Sequence, residues 1–247
     1  MDTKNVTTAL IGLTAGLVAG FLIANSINNS EMNSSRGQAM SAQKPATGTA
    51  PAKDEVTLSP EELKAKIAEA DGSPTNFDYQ KKFGSALYRY ATMKNDTALL
   101  QEAVRLLTRA NSLNAKDYDV LVDLGNALFD VGYVNKDSSG FAKARVLYKQ
   151  ALEAKPNDAD VQTDLAISYI LDSPPDFNRA VEEFQRALKA NPKQERALVF
   201  LTQSYMQLGN WAAAGKTLDL LKAANPKSDR IAELASQIAA KQATPIK

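Results

Sequence analysis

The sequence predicts an all-α protein: a solenoid of about four helix pairs with capping helices, preceded by a transmembrane helix and a disordered linker. Three observations carry this expectation. An uncharged apolar run lies near the amino terminus, a polar stretch of small residues follows it, and beyond residue 77 one spacing of small and aromatic residues returns four times. The expected organisation is an anchor at 1–27, a linker at 28–57, a short capping helix at 58–76, and a repeat domain with a carboxy-terminal capping helix at 77–241.

No charged residue stands between Lys4 and Glu31, and Val6 to Ile27 is dominated by Ala, Leu, Ile, Val and Gly. As a helix this run would be about 33 Å long, the hydrocarbon thickness of a bilayer. We read it as a single-pass membrane helix. The alternative is a cleaved signal peptide with the small residues Ala24 and Ser26 before the cut, although only Lys4 is basic ahead of the run. Lys4 and the terminal amine face Arg36 and Lys44 across the span, which leaves orientation undecided by flanking charge. Gly12, Gly16 and Gly20 recur every four residues, with Ala15 and Ala19 beside them. They make one side nearly flat, so a second helix could approach closely and the chain could form a homo-oligomer.

Residues 28–57 hold Met32, Met40 and Val56 as their only large apolar side chains. That composition buries too little surface to offset the entropy of ordering, so it reads as a flexible tether. Its root-mean-square reach is about 30 Å.

The whole chain of 247 residues has 29 Lys and Arg against 28 Asp and Glu, a net charge of +1, so no basic field exists to hold nucleic acid. Cys and His both number 0. That excludes disulfides, thiolate nucleophiles, imidazole bases, and zinc or haem sites built on those side chains. Asp160 and Asp164 stand one helical turn apart, but acid–base work would need one of them enclosed in an apolar pocket. No phosphate-binding loop, nucleophile elbow or zinc-protease string occurs. We therefore expect no enzyme, no catalytic residue, no metal and no cofactor.

The repeats are read by self-comparison. Leu201, Tyr205, Ala214, Leu218 and Pro226 set a spacing that Leu165, Tyr169, Ala180, Phe184, Ala187 and Pro192 repeat. Leu124, Gly125, Leu128, Ala144, Tyr148, Ala151 and Pro156 repeat it again, and Phe83, Gly84, Leu87, Ala103, Leu107 and Ala110 once more, with Ala115 where the proline would fall. Glycine and alanine let the two helices of a pair approach, aromatics fill the gap between pairs, and proline ends the second helix. This pattern resembles the tetratricopeptide repeat (TPR) family. The resemblance implies a right-handed α-solenoid over about 77–228.

The copies differ in length. Tyr205 precedes Ala214 by 9 residues and Tyr169 precedes Ala180 by 11, but Leu87 to Ala103 and Leu128 to Ala144 each span 16. The extra residues of the first pair around Asn95-Asp96-Thr97 read as an earlier helix start; those of the second, 134–140, read as loop. At the ends, Ser59-Pro60-Glu61-Glu62 is a capping box opening a short helix. Ser228 precedes a last helix with Ile231, Leu234 and Ile238 on one face. Trp211, the only tryptophan, reads as a packing residue at the start of the last repeat's second helix.

In the family, the first helix of each pair lines a concave groove that receives a partner. Carried onto this sequence, the groove residues are Lys81, Asp123, Asn126, Phe129, Asp130, Asp164, Ile170 and Met206, with Asp119, Asp160, Leu171 and Arg196 around them. The carboxylates of the middle repeats and the apolar residues beside them imply a protein or peptide partner with cationic and apolar character. Of the clamp by which some TPR proteins grip carboxylate tails, only Lys81 matches; Ser85, Asp123, Asp160 and Asp164 stand at the other places and would repel an acidic tail. The chain also resembles bacterial membrane-tethered TPR proteins of envelope processes, including cytochrome c maturation factors. That resemblance implies an inner-membrane scaffold with its repeats on the extracytoplasmic side. The alternative expectation is a structural assembly protein that self-associates through its glycine-faced membrane helix.

Overall fold

The structure is a computed structural model that describes residues 59–242. The anchor expected over 1–27, with Gly12, Gly16 and Gly20, and the linker expected over 28–57 lie outside the described residues. Among the described residues there are ten helices and no strand: α1 (Pro60–Gly72), α2 (Phe77–Lys94), α3 (Thr97–Leu113), α4 (Tyr118–Asn135), α5 (Ser138–Ala154), α6 (Ala159–Ile170), α7 (Phe177–Ala190), α8 (Glu195–Gln207), α9 (Trp211–Ala224) and α10 (Arg230–Gln242). No helix among them is long and apolar enough to cross a membrane.

Helices α1 to α7 and α9 begin where a side chain takes up a free backbone N–H, whereas Gln194 ahead of α8 makes no such bond. Ser59 forms the expected capping box with Glu62. Asn76, Asp96, Asp117, Asp137, Asp158, Asp176 and Asn210 accept from the first turns of α2, α3, α4, α5, α6, α7 and α9. A cap of this kind holds a helix start by about 1 kcal/mol. The second helices stop on Asn114, Lys155, Asn191 and Asn225, each followed by Ala115 or by Pro156, Pro192 or Pro226 as the sequence suggests.

The helices pair as α2–α3, α4–α5, α6–α7 and α8–α9, and each pair packs on the next through α3–α4, α5–α6 and α7–α8. The first helices also touch one another, α2 on α4 and α6 on α8, so they crowd together as the inner layer. Between the layers Ala103, Ala144, Ala180 and Ala214 are fully buried, with Leu107, Tyr148 and Phe184 one turn on. Gly125 shows why a side chain is excluded in the inner layer: a Cβ there would stand 2.7 Å from the Tyr148 ring. At one end Gln80 fastens α1 by donating from Nε2 to the carbonyls of Ala70 (2.7 Å) and Ser73 (3.0 Å). At the other, Leu234 and Ile238 of α10 close over Leu198, Leu218 and Leu221, and Trp211 packs against the same cluster.

One sequence expectation is corrected. Residues 134–140 are not a loop: α4 runs through Asn135 and α5 starts at Ser138. The turn between them is the same as in the first and last pairs, a left-handed residue followed by a capping side chain: Asn95-Asp96, Lys136-Asp137 and Gly209-Asn210. The extra residues therefore lengthen both helices, to 18 and 17 residues in the first two pairs against 13 and 14 in the last. Gly132 and Gly140 let the lengthened α4 and α5 meet, since a Cβ on Gly140 would lie 2.5 Å from the Gly132 Cα.

Candidate functional site

The inner stripe of α2, α4, α6 and α8 is where sequence reasoning places a partner, and the structure shows how far its side chains are already engaged. Lys81 on α2 bridges to the next pair, 2.8 Å from Asp117 and 2.9 Å from Asp119. The Tyr88 hydroxyl donates to Asp130 (2.9 Å), and the Tyr148 hydroxyl donates to Asn126 (2.9 Å). Arg196 at the start of α8 reaches back to α6 and donates from Nη2 to Asp164 at 2.5 Å. Gln194 donates to Asp160. The carboxylates that look unopposed along the sequence are thus met by partners from adjacent pairs, 32 to 42 positions away.

Burial governs their ionisation. The Asp130 carboxyl is pushed up to about 7, chiefly by desolvation and further by Asp164, against the opposing pull of Tyr88 and Arg196. Burial also raises Asp123, although the Ser85 hydroxyl and Arg89 favour its charged form. It raises Asp164 as well, in spite of Arg196. The middle of the inner face therefore carries less negative charge at neutral pH than five aspartates would suggest.

The apolar groove residues are corrected too. Phe129 is 3% exposed, Ile170 4% and Met206 6%. Phe129 packs edge-on against Phe141 of α5, ring centroids 5.1 Å apart, and Met206 belongs to the closing cluster with Leu198, Leu218 and Leu234. These three are core side chains and offer no apolar surface to a ligand. The polar residues Lys81, Asp123, Asn126, Asp130 and Asp164 are partly buried on the inner stripe, and Asp78, Lys82, Arg89, Asp119, Asp160 and Gln207 are exposed there. Arg196 and Gln203 stand at groove-facing positions of the fourth repeat in the sequence without being singled out as site residues, and the structure sets both on α8 at a two-turn spacing.

Among the described residues no group of three or more acidic side chains is placed to hold a metal ion. The arrangement can bind, through a row of donors and acceptors contributed by four successive pairs.

The family model for the tetratricopeptide repeat matches residues 176–238, the third pair's second helix through α10. That segment of the chain is thus similar to the tetratricopeptide repeat family. The chain is also similar in fold to solved structures. A MamA crystal structure shares 18% identity over 75% of this chain and 87% of that chain, with a TM-score of 0.54. MamA from Desulfovibrio magneticus RS-1 shares 16% over 68% and 86%, with a TM-score of 0.55. A tetratricopeptide repeat protein from Parabacteroides merdae shares 20% over 64% and 60%, with a TM-score of 0.53. At these identities the likeness is one of fold. No curated protein sequence matches the chain.

Proposed function

We propose that this protein is a membrane-tethered TPR scaffold that holds a protein or peptide partner along the inner face of its solenoid. The observation that carries the reading is the row of polar side chains from α2, α4, α6 and α8 on one continuous face, above a core closed by its own apolar residues. Asp78, Asp119 and Asp160 remain exposed on the first turns of α2, α4 and α6 and suit a cationic segment of the partner. The apolar run at Val6–Ile27 supports the tether, and the resemblance to membrane-anchored TPR proteins suggests the extracytoplasmic side of the inner membrane, in envelope assembly or cytochrome c maturation.

Charge reversal at two exposed positions tests the groove. Asp119→Lys/Asp160→Lys leaves the core untouched, and the expected result is at least a tenfold loss of whatever partner co-purifies with the full-length chain from detergent. Recovery equal to wild type rules out the acidic inner face as the docking surface. For the tether, alkaline carbonate should leave the full chain in the membrane pellet and release a chain beginning at residue 58. A second reading, self-association through Gly12, Gly16 and Gly20, rests on their four-residue spacing. A homo-oligomer in detergent that Gly16→Leu abolishes would support it.

A further inference from the structure

The inner face of α8 carries buried polar atoms that the fold itself does not use. Arg196 spends Nη2 on Asp164, while its Nε and Nη1 are buried without a protein partner. Gln203 is only 7% exposed, and its Oε1 is buried and equally unmatched. Buried donors and acceptors left unpaired cost stability, and native proteins keep few of them. Here two donors and one acceptor occur on a single helix stripe, seven residues apart. Two helical turns separate them, about 10.5 Å.

Charge narrows what could meet them. The guanidinium of Arg196 is already matched by Asp164, with Asp130 and Asp160 close enough to be felt electrostatically. A carboxylate would enter beside those aspartates, and an ammonium would compete with Arg196 itself. An uncharged group that accepts at one end and donates at the other satisfies both. An extended main chain does so: its carbonyl accepts from Arg196 and its N–H donates to Gln203, the two lying about three residues apart at 3.3 Å rise.

We infer that Arg196 and Gln203 form a main-chain docking pair, which grips an extended, uncharged stretch of the partner's backbone at the carboxy-terminal end of the groove. The inference rests on the groove reading above and supplies its recognition chemistry. Because Arg196 also neutralises Asp164, Gln203 is the residue to change. Gln203→Met keeps the length and removes the unmatched acceptor, and Gln203→Leu serves as a second variant should the first fold poorly.

The probe is an array of random octapeptides, acetylated and amidated at their ends, offered to the full-length chain in mild detergent. Wild type should retain a subset. Gln203→Met should melt no lower than wild type yet bind that subset at least tenfold more weakly. Methylation of one backbone nitrogen in a retained peptide should cost wild type tenfold and cost the variant nothing further. Equal binding by wild type and both variants, or an equal penalty for methylation in each, overturns the docking pair while leaving the groove intact. A requirement for a free terminal carboxylate overturns it as well. Failure of wild type to retain any peptide removes the groove reading, and the pair with it.

Discussion

Asp130 shows how one residue can set the pH response of this solenoid. Its carboxyl accepts from Tyr88 across two repeats and faces Asp164, Arg196 and Tyr148 from the helices packed around it. Desolvation keeps the proton on up to a pH of about 7, whereas the unfolded chain releases it near the ordinary aspartate value. The folded state therefore holds the extra proton between those two values. The stabilisation linked to it is complete below the unfolded value and is lost as pH rises through about 7. Asp130→Asn keeps an acceptor for the Tyr88 hydroxyl and removes the titration. Melting curves between pH 5.5 and 8 should show wild type falling relative to the variant, with the gap closing at the acid end. A gap that stays constant across that range would mean that Asp130 titrates as an exposed carboxylate does.

At the scale of helices, Gly140 of α5 and Gly215 of α9 should respond in opposite ways to the same substitution. Gly140→Ala would set a Cβ 2.5 Å from the Gly132 Cα and 2.8 Å from the Leu128 carbonyl, and both obstacles are backbone. The hairpin must open, at a cost of about 1–3 kcal/mol. Gly215 lies inside α9 with nothing within 4 Å of its missing side chain, so Gly215→Ala should stabilise by about 0.5–1 kcal/mol. Lys136 holds a left-handed turn at φ 54°, and Lys136→Gly should remove that strain with a gain of similar size, readable in urea unfolding. The same hairpin explains what the sequence discloses and what it hides. Ala144, Tyr148 and Pro156 are legible because their roles follow from spacing within one helix and its end. The turn at Lys136 is not, because a lysine in that conformation gives no local cue, and only comparison with Asn95-Asp96 places it. The site is less legible still. Phe129 holds a groove position in its repeat, but the lengthened α5 brings Phe141 against it and draws it into the core. Arg196 looks isolated along the chain, and only stacking of the third and fourth pairs sets it on Asp164.

Over the whole repeat domain, each pair packs mainly on its sequence neighbours, so stability is expected to be distributed along the stack and to fail from an end. The ends are not equivalent. α1 is held chiefly by the two hydrogen bonds from Gln80 and by Asp71, which pairs with Arg105 at 2.5 Å and Arg109 at 2.6 Å across an exposed surface. Exposed pairs of that kind contribute little. α10 instead buries Leu234 and Ile238 in a cluster shared with α8 and α9. Leu234→Ala should therefore cost about 2–5 kcal/mol through the cavity it opens. Its effect should also be local. Hydrogen exchange should quicken across α9 and α10 and on α8, where Leu198 and Met206 lose their cover, while amides of α3, α4 and α5 keep their protection. Because Arg196 and Gln203 stand on α8, the same variant should weaken groove binding without touching a groove side chain. Uniform acceleration from α2 to α10 would show that the repeats unfold as one cooperative block, in which case the carboxy-terminal cap steadies the entire face on which a partner lies.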